Sequence, residues 1–275
     1  MARSVHVHFL PHECGSHDLS GATAVIIDVL RASSTIATAL RNGAVCVHPC
    51  ATVDEARQNA SSVAYEVPLL GGERGGIRIN GFDLGNSPAD YTPNQVSGRR
   101  VIFTTTNGTR ALLSAQTAGT ILIGSFVNLD AVAQSLISSN APVHLVCAGT
   151  DGVVTGEDVL FAGCLLWHLN RATSVEHSGP PGIELTDAAR IALNYWDIQV
   201  MLNLDAPHTH PDDTETLPKA FSHQITRVLR TTQGGRNLLE LEYDSDIEIC
   251  SQLDSVNVLP IYNSQQNEIR IRDVG

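Results

Sequence analysis

Short apolar runs that stop abruptly at polar residues recur along the chain. In the clearest case, residues 101–103 (Val-Ile-Phe) predict the end of a buried strand. Hydroxyl, amide and glycine residues fill positions 104–109, and the alanine- and leucine-rich residues 110–118 predict a helix. A strand, a polar turn and a helix in this order direct backbone N–H groups and the positive end of the helix at an anion, above all phosphate. The alternative is that the threonines only cap the helix.

A second unit of this kind ends in an acid. Residues 24–27 predict a buried strand that stops at Asp28, and a serine-rich turn leads into a helix predicted at 36–42. A carboxylate at the end of a buried strand is costly unless it is paired or bound to a cation. Two interpretations of Asp28 are therefore open. It forms an ion pair with Arg31, or it is a ligand of Mg²⁺, which prefers one or two carboxylates and leaves room for phosphate oxygens.

A third unit follows the strand predicted at residues 143–147. Here Glu157 and Asp158 stand immediately before the helix predicted at 159–169. The helix macrodipole favours acidic residues at this position, so helix capping explains them as well as a metal site does.

The glycine-rich residues 71–76 (Gly-Gly-Glu-Arg-Gly-Gly) follow a strand predicted to end at Leu70. Glycine loses more chain entropy on folding than any other residue, and loops rarely contain so many without close backbone approach or unusual dihedral angles. The stretch predicts a loop in which Glu73 binds a metal or acts as a general base and Arg74 holds an anion. A surface turn with a solvated ion pair is the alternative.

Two further polar turns are candidates for binding. Residues 82–88 predict an ordered loop that leads into a helix capped by Asn86 or Ser87. Residues 231–238 predict a glycine-rich turn into a short helix, in which Arg236 is placed to reach an anion.

The remaining segments predict loops and strands. Residues 170–186 and 203–216 are polar and predict loops. Residues 246–250 alternate as in a strand, residues 256–261 predict the last strand, and residues 262–275 predict a loose tail or an edge strand.

Composition narrows the class of protein. Of the 275 residues 43% are hydrophobic and 17% are charged, as in an ordinary globular protein. The net charge of −12 argues against a nucleic-acid or anionic-membrane partner. No apolar run approaches the roughly 18–20 residues of a membrane span, and the N-terminus does not resemble a signal peptide, so a cytoplasmic location is expected. The six scattered cysteines are expected to be buried thiols without structural disulfides.

Six stretches, in order from residue 25 to about residue 260, together resemble the 2-phosphosulfolactate phosphatases of coenzyme M biosynthesis, the ComB family. They are residues 25–35, 71–76, 81–88, 104–109, 147–149 with Glu157 and Asp158, and 234–236 with Asp246 and Ile247. The resemblance implies a Mg²⁺-dependent enzyme that hydrolyses 2-phospho-3-sulfolactate to 3-sulfolactate and phosphate. It also implies a three-layer α/β/α fold with a mixed sheet, either as one ComB-like α/β domain over residues 1–275 or as two lobes at about 1–150 and 151–275.

The resemblance and the residue patterns lead to one expected site. Asp28, Glu73 and Asp158 are the expected catalytic carboxylates, and together with Glu157 they are the candidate Mg²⁺ ligands. The expected substrate-binding residues are Arg31, Ser33, Ser34, Arg74, Gly75, Gly76, Asn86, Ser87, Thr105, Thr106, Asn107, Gly108, Thr109 and Arg236. Metal-activated water is expected to attack phosphorus. An aspartyl-phosphate intermediate on Asp28 is the alternative.

Two other functions stay open. One is a phosphatase for another small phosphorylated hydroxy acid, and the other is a non-catalytic protein that binds a phosphorylated metabolite. Clustered acids disfavour the second, because carboxylates repel phosphate unless a cation lies between them. The expected partner is a small phosphorylated organic acid, with no nucleic acid and no membrane; a homodimer is left open.

Overall fold

Strands and helices alternate along the chain, which the computed structural model describes over residues 3–14, 19–62, 67–175, 183–204 and 216–272. The strands are β1 (Arg3–His8), β2 (Thr23–Ile27), β3 (Cys46–Pro49), β4 (Leu69–Arg74), β5 (Ile77–Arg78), β6 (Arg100–Thr104), β7 (Thr120–Gly124), β8 (Val143–Cys147), β9 (Ile183–Leu185), β10 (Pro260–Asn263) and β11 (Glu268–Ile271). The helices are α1 (Pro11–Cys14), α2 (Ala32–Arg41), α3 (Val53–Ser62), α4 (Pro93–Val96), α5 (Gly108–Ser114), α6 (Leu129–Ile137), α7 (Gly156–Val175), α8 (Asp187–Gln199), α9 (Thr216–Leu229), α10 (Gln233–Glu240) and α11 (Asp244–Cys250). Short 3₁₀ turns lie at Pro88–Asp90, Phe126–Asn128 and Met201–Asn203.

The described strands form one mixed sheet of eleven strands in the order β5-β4-β6-β3-β11-β10-β7-β2-β8-β1-β9. Strands β4, β6 and β3 pair in parallel, and so do β7, β2, β8, β1 and β9. The antiparallel hairpin of β10 and β11 joins these two parallel groups, because β11 pairs with β3 and β10 pairs with β7. The sheet and its helices confirm the predicted α/β fold.

The hairpin reverses strand direction, so the carboxyl ends of β2 and β6 would lie at opposite edges of a flat sheet. Sheets twist by roughly 20–25° per strand, and the five steps from β6 to β2 add up to roughly 100–125°. In keeping with this rotation, helix α5, which follows β6, packs against β2. A Cβ placed on Gly108, at the start of α5, would lie only 2.8 Å from Oδ2 of Asp28, at the end of β2. The polar turns after β2 and β6 therefore meet.

Both faces of β2 are buried. Val25 and Ile27 belong to one apolar cluster, to which α6, α7 and α8 contribute. Ala24 and Ile26 belong to a second cluster, to which α2 and α5 contribute. Burial on both sides explains why this parallel strand is a continuous apolar run rather than an alternating one.

The glycine-rich residues 71–76, predicted as a loop, are mostly strand. Strand β4 continues into this stretch and pairs with β6. A Cβ on Gly71 would lie 2.3 Å from the hydroxyl oxygen of Tyr91, and one on Gly72 would lie 2.1 Å from the carbonyl oxygen of Thr104. These two glycines therefore allow close packing within the sheet, and the turn comes only after them.

Residues 246–250, predicted as a strand, belong to helix α11. Ile247 and Cys250 lie three positions apart and are both buried, which is the spacing of a helix face. Asp246 lies in the first turn, where the helix macrodipole favours an acid. In so short a segment, alternation alone did not distinguish a strand from a helix.

The end of the chain also differs from expectation. The strand predicted at 256–261 is displaced to β10. Residues 262–275 were predicted as a tail or edge strand, but they contain β11, which lies in the interior of the sheet between β3 and β10. Helix α7 occupies the beginning of the loop predicted at 170–186. Residues 176–182 of that loop, and nearly all of the acidic loop predicted at 203–216, lie outside the described residues.

Gly72→Ala should destabilise the protein by about 2–4 kcal/mol. The new methyl group would meet the carbonyl oxygen of Thr104, and the φ of +143° is one that residues with a side chain rarely adopt. Gly98→Ala is the matched control, because Gly98 has a φ of +72° but open space around its Cβ position, so only about 1–2 kcal/mol is expected. Chemical denaturation measures both values, and equal losses would show that contact with Thr104 does not matter.

Candidate active site

Asp28 lies at the end of β2 and is 8% exposed. Its Oδ1 accepts a hydrogen bond from the backbone N–H of Ala32 at 3.2 Å. Its own backbone N–H donates to Oγ of Ser33 at 3.0 Å. The carboxylate is thus fixed by the turn into α2, and it lines a cleft between the polar turns.

The predicted binding residues Ser33 and Ser34 are not at this cleft. Both are buried in the first turn of α2, which begins earlier than predicted. Oγ of Ser33 donates to the carbonyl of Ile26 at 3.2 Å, and Oγ of Ser34 donates to the carbonyl of Val29 at 2.9 Å. Their hydroxyl groups close the turn that presents Asp28, and they do not line the cleft.

Arg31 forms an ion pair with Asp246 of α11, not with Asp28. Its NH1 lies 2.6 Å from Oδ2 of Asp246, and the side chains are 2% and 1% exposed. Its NH2 donates to the carbonyl of Gly76 at 2.6 Å, and the guanidinium lies 4.4 Å from the centre of the Tyr243 ring. Arg31 therefore joins α2, the β4–β5 turn and α11 at the wall of the cleft.

The predicted binding residue Ser87 completes this link from the other side. Its hydroxyl donates to Oδ1 of Asp246 at 2.6 Å, so both oxygens of that carboxylate are occupied. Asn86, the preceding residue, lines the cleft, and its buried Oδ1 has no hydrogen-bond partner.

Glu73 joins two of the predicted polar turns. Its Oε1 accepts the backbone N–H of Thr106 at 2.8 Å, and its Oε2 accepts the backbone N–H of Gly76 at 2.8 Å. Arg74, the next residue of β4, donates to the carbonyl of Glu73 at 2.6 Å and to Oγ1 of Thr104 at 2.9 Å. Because side chains alternate along a strand, Glu73 lines the cleft and Arg74 lines a different one.

Asp158 bridges the ends of β2 and β8. Its Oδ1 accepts the backbone N–H of Val29 at 2.9 Å, and its Oδ2 accepts the backbone N–H of Gly149 at 3.0 Å. It therefore does not cap its own helix, which was the alternative interpretation. Burial, then the charges of Glu157 and Asp28, raise the pKa of Asp158 well above its usual range, and the two backbone N–H groups oppose this shift.

Glu157 adds a second buried acid at the start of α7. It is 2% exposed, and its Oε2 has no hydrogen-bond partner. Its Oε1 would lie 2.1 Å from a Cβ on Gly234, so only glycine fits there at the start of α10.

Burial raises the pKa of Asp28 to about 7. The charges of Glu73 and Glu157 add to this shift, and the hydrogen bond from the Ala32 N–H and the charge of Arg31 oppose it.

The cleft has a volume of about 260 Å³. Its lining includes eight of the predicted residues: Asp28, Arg31, Glu73, Gly75, Gly76, Asn86, Thr106 and Asn107. Gly108 lies against Asp28. Three other predicted residues are buried and do not line the cleft: Asp158, Glu157 and Ser87. Thr105 and Thr109 line the same second cleft as Arg74.

Arg236 is also outside the cleft. Its guanidinium donates to the carbonyl of Thr231 and to Oε1 of Gln233, and the residue is exposed. The following residue, Asn237, lines the cleft. One helical position turns a side chain by about 100°, which explains why Asn237 lines the cleft and the predicted Arg236 does not.

Sequence patterns missed several lining residues. They are Leu30, Thr150, Asp151, Gly234, Asn237, Leu238, Glu240 and Leu241. Seven of the sixteen lining residues thus come from the loop after β8 and from α10 with the residue that follows it. A helical pattern at 234–241, with Asn237, Glu240 and Leu241 on one face, is the sequence feature that could have identified the α10 contribution.

The carboxylates do not form a ready metal cage. Over the part of the chain that the structure describes, no three His, Cys, Asp or Glu side chains form a group that could hold a metal ion. Asp158 and Glu73 already accept backbone N–H groups on both oxygens. Mg²⁺ is usually held by one or two carboxylates, with water and phosphate oxygens as its other ligands, so Asp28 at the cleft fits that cation without a cage.

Residues 8–217 match the family model of 2-phosphosulpholactate phosphatase. The chain belongs to the 2-phosphosulpholactate phosphatase family. The family expected from the six sequence stretches is thereby confirmed, and the chain is a member of a phosphatase family.

Relatives in this phosphatase family cover most of the chain. A probable 2-phosphosulfolactate phosphatase of Caldanaerobacter subterraneus is 35% identical over 243 residues, 88% of each chain. One from Clostridium beijerinckii is 42% identical over 239 residues, 87% of this chain and 88% of the relative. One from Prochlorococcus marinus is 36% identical over 241 residues, 86% and 88% of the two chains.

Two further expectations concerned the cysteines and membrane-spanning segments. All six cysteines are free and buried, as predicted. None of the helices within the described ranges has the length and apolar character needed to cross a membrane.

Stability of the metal-free protein should fall as the pH rises from about 4 to about 7. The folded-state pKa of Asp28, about 7, lies above the ordinary value of 3.8, so in this window the folded state keeps a proton that the unfolded chain has released. The loss is at most about 4 kcal/mol, at about 1.4 kcal/mol per pKa unit. Asp28→Asn should remove this contribution when unfolding is measured in EDTA across the pH range.

The control for that experiment is Asp54→Asn, since the Asp54 side chain is 98% exposed. It should keep the pH slope of the wild type. Identical slopes in wild type and Asp28→Asn would contradict the raised pKa.

Asp246→Ala should destabilise the protein by about 3–5 kcal/mol, because it leaves the buried Arg31 guanidinium without its carboxylate. Asp244→Ala, two residues earlier in the same helix, removes a partly exposed ion pair with Arg230 and should cost at most about 1 kcal/mol. Urea denaturation measures both variants. A loss for Asp246→Ala no larger than for Asp244→Ala would mean that the buried pair does not hold α11.

Proposed function

We propose that the protein hydrolyses the phosphate ester of 2-phospho-3-sulfolactate, releasing 3-sulfolactate and phosphate, with Mg²⁺ as its cofactor. Family membership and three relatives named probable 2-phosphosulfolactate phosphatases support the substrate. The observation that supports Mg²⁺ as the cofactor is the negative charge of the cleft lining. Its lining has four carboxylates, Asp28, Glu73, Asp151 and Glu240, and one arginine.

This charge is unsuited to an anionic ester alone. The substrate carries a phosphate, a carboxylate and a sulfonate group, all anionic at neutral pH. Two unit charges 4 Å apart repel by about 4 kcal/mol at an effective dielectric constant of 20. Arg31 does not compensate four acids, because its guanidinium is already paired with Asp246. A divalent cation between the carboxylates and the phosphate would change this repulsion into attraction.

Asp28 is the residue that we assign to the cation, with Glu73 as the second candidate, since both line the cleft. When bound, Mg²⁺ neutralises the phosphoryl oxygens and lowers the pKa of a bound water. Glu157, behind Asp28, has an oxygen without a hydrogen-bond partner and adds to the negative potential that favours a cation there.

The chain itself would orient the phosphate. Thr106 and Asn86 line the cleft with polar atoms that have no hydrogen-bond partner, Oγ1 and Oδ1 respectively. The Thr106 hydroxyl can donate to a phosphoryl oxygen, and the Asn86 amide can contact the hydroxy-acid part. The Arg31 guanidinium, held by Asp246, also lies at the cleft wall, where its remaining N–H groups could donate to the ester. Direct attack by water remains the favoured mechanism, with an aspartyl-phosphate on Asp28 as the alternative.

A role in coenzyme M biosynthesis, a cytoplasmic location and a homodimer remain predictions. The first rests on the family resemblance, and the others rest on the sequence. The substrate assignment is the part of the proposal that can be tested directly.

The test is phosphate release from a panel of phosphorylated hydroxy acids that includes 2-phospho-3-sulfolactate, with Mg²⁺ and with EDTA. We expect 2-phospho-3-sulfolactate to give the highest kcat/KM, and EDTA to abolish release. Asp28→Asn should lower kcat/KM by at least about 100-fold, and Asp54→Asn should not change it. Full turnover in EDTA would contradict the role of the cation. Wild-type turnover by Asp28→Asn would contradict the role assigned to Asp28.

The same panel separates the alternatives. A higher kcat/KM for a phospho-hydroxy acid without a sulfonate would replace the substrate but keep the reaction class. Binding of the ester without turnover, retained in EDTA, would indicate a binding protein. Phosphate trapped on the chain by rapid quench would favour the aspartyl-phosphate route over direct attack by water.

A further inference from the structure

A second cleft, of about 350 Å³, lies beside the candidate active site. The two clefts share Thr106, and the strand alternation that places Glu73 in the first cleft places Arg74 in the second. They are therefore separate spaces with a common wall. A volume of this size is within the range of small-molecule sites.

The charge of the second cleft is opposite to that of the first. Its lining contains two arginines, Arg74 and Arg110, and no carboxylate. The chain as a whole has 29 acidic and 17 basic residues, so two arginines together without a lining acid are unusual for it. The nearby Glu55 is engaged in its own helix start, where its Oε2 accepts the backbone N–H of Ala51 at 2.8 Å.

The two guanidinium groups have free hydrogen-bond capacity. Arg74 is half-buried, and the carbonyl of Glu73 and the hydroxyl of Thr104 hold it in place. These bonds use two of its five N–H donors. Arg110 is exposed, and within the described ranges its guanidinium makes no hydrogen bond or ion pair. One arginine is thus fixed and the other is free to close on a ligand.

A hydroxyl group completes the donor set. Oγ1 of Thr109 accepts the backbone N–H of Thr105 at 3.4 Å, which leaves its own hydrogen free to donate. Two planar guanidinium groups and the Thr109 hydroxyl are donors that suit the oxygens of a tetrahedral oxyanion.

We propose that this second cleft binds a small tetrahedral oxyanion, either free phosphate or the sulfonate group of an organic acid, at a position separate from the catalytic cleft. The site does not depend on Mg²⁺, because its charge is already positive. It also does not depend on the reaction proposed above, because binding can be measured without turnover.

The test is calorimetric titration of the metal-free protein with inorganic phosphate in EDTA. Without a cation the four acids of the first cleft disfavour phosphate, so the binding that is measured reports the second. We expect the wild type to bind phosphate and Arg110→Gln to bind at least about 10-fold more weakly, as expected for the loss of charge-assisted hydrogen bonds. Arg110→Lys, which keeps the charge but not the planar fork, should lie between them.

Arg41→Gln is the matched control, because Arg41 is also an exposed arginine but lines neither cleft. It should bind phosphate as the wild type does. Unchanged thermal unfolding of Arg110→Gln shows that a weaker affinity is not a folding defect. The proposal is overturned if the wild type binds neither phosphate nor methanesulfonate, or if Arg110→Gln binds them as tightly as the wild type.

Titration with methanesulfonate distinguishes the two sources of the anion. Binding of phosphate alone would identify the site as one for free phosphate. Binding of methanesulfonate with equal or higher affinity would identify it as one for the sulfonate of an organic acid. Both results support an oxyanion site.

Discussion

The arrangement of the candidate site depends on one electrostatic constraint, the burial of several carboxylates within reach of one another. Asp28, Glu157 and Asp158 are each less than one-tenth exposed. Burial, followed by the charge of Glu157 among others, raises the pKa of Asp28 and of Asp158, and the charge of Asp28 adds to the shift of Asp158. Two backbone N–H groups support Asp158, one supports Asp28, and one oxygen of Glu157 has no partner. A buried charge that lacks a partner costs several kcal/mol, so protons or a cation must offset the rest. The same constraint, which destabilises the site by itself, would favour the cation proposed for it.

The fold imposes this proximity through its topology. The β10–β11 hairpin separates two parallel groups that run in opposite directions, yet the turns after β2 and β6 meet, as expected of a strongly twisted sheet. The buried pair of Arg31 and Asp246 then attaches the C-terminal helices to the same place. The last part of the chain therefore has two roles: β10 and β11 join the two parallel groups of the sheet, and α10 supplies part of the cleft wall.

How much of this could be predicted from the sequence depended on the strength of local patterns. The turn after β2 was predictable because an apolar run that stops at an acid is typical of a buried strand that ends at a polar site, and Asp28 does line the cleft. Glu73 was predicted to belong to the site, and it does line the cleft, but the strand that carries it was not predicted. Glycine usually disfavours strands. Gly71 is required here because it packs against Tyr91, a contact that lies 20 positions away and that the local pattern does not show. Had the strand been recognised, alternation alone would have separated Glu73 from Arg74.

Other features depended on tertiary contacts that a single sequence does not contain. Nothing local distinguishes an Arg31 that pairs with Asp28 from one that pairs with Asp246, because the second partner is 215 positions away. The serines after Asp28 have the composition of a phosphate-binding turn, yet the fold uses their hydroxyls for its own carbonyls. Local patterns identified the polar turns, and long-range packing decided which of their side chains reach the cleft.

A protein of net charge −12 that belongs to a phosphatase family must still admit an anion. The overall charge opposes this only weakly, because at physiological ionic strength exposed charges are screened beyond about 8 Å. Inside a cleft the nearest groups decide, and the two clefts on either side of Thr106 have opposite charge. Under the proposed function a cation would have to offset the carboxylates of the acidic cleft before a phosphate ester could bind there, whereas the arginine-lined cleft already has positively charged lining side chains. Thr106 lines both clefts, and its backbone N–H donates to Oε1 of Glu73, so a ligand in either cleft would lie against this one residue.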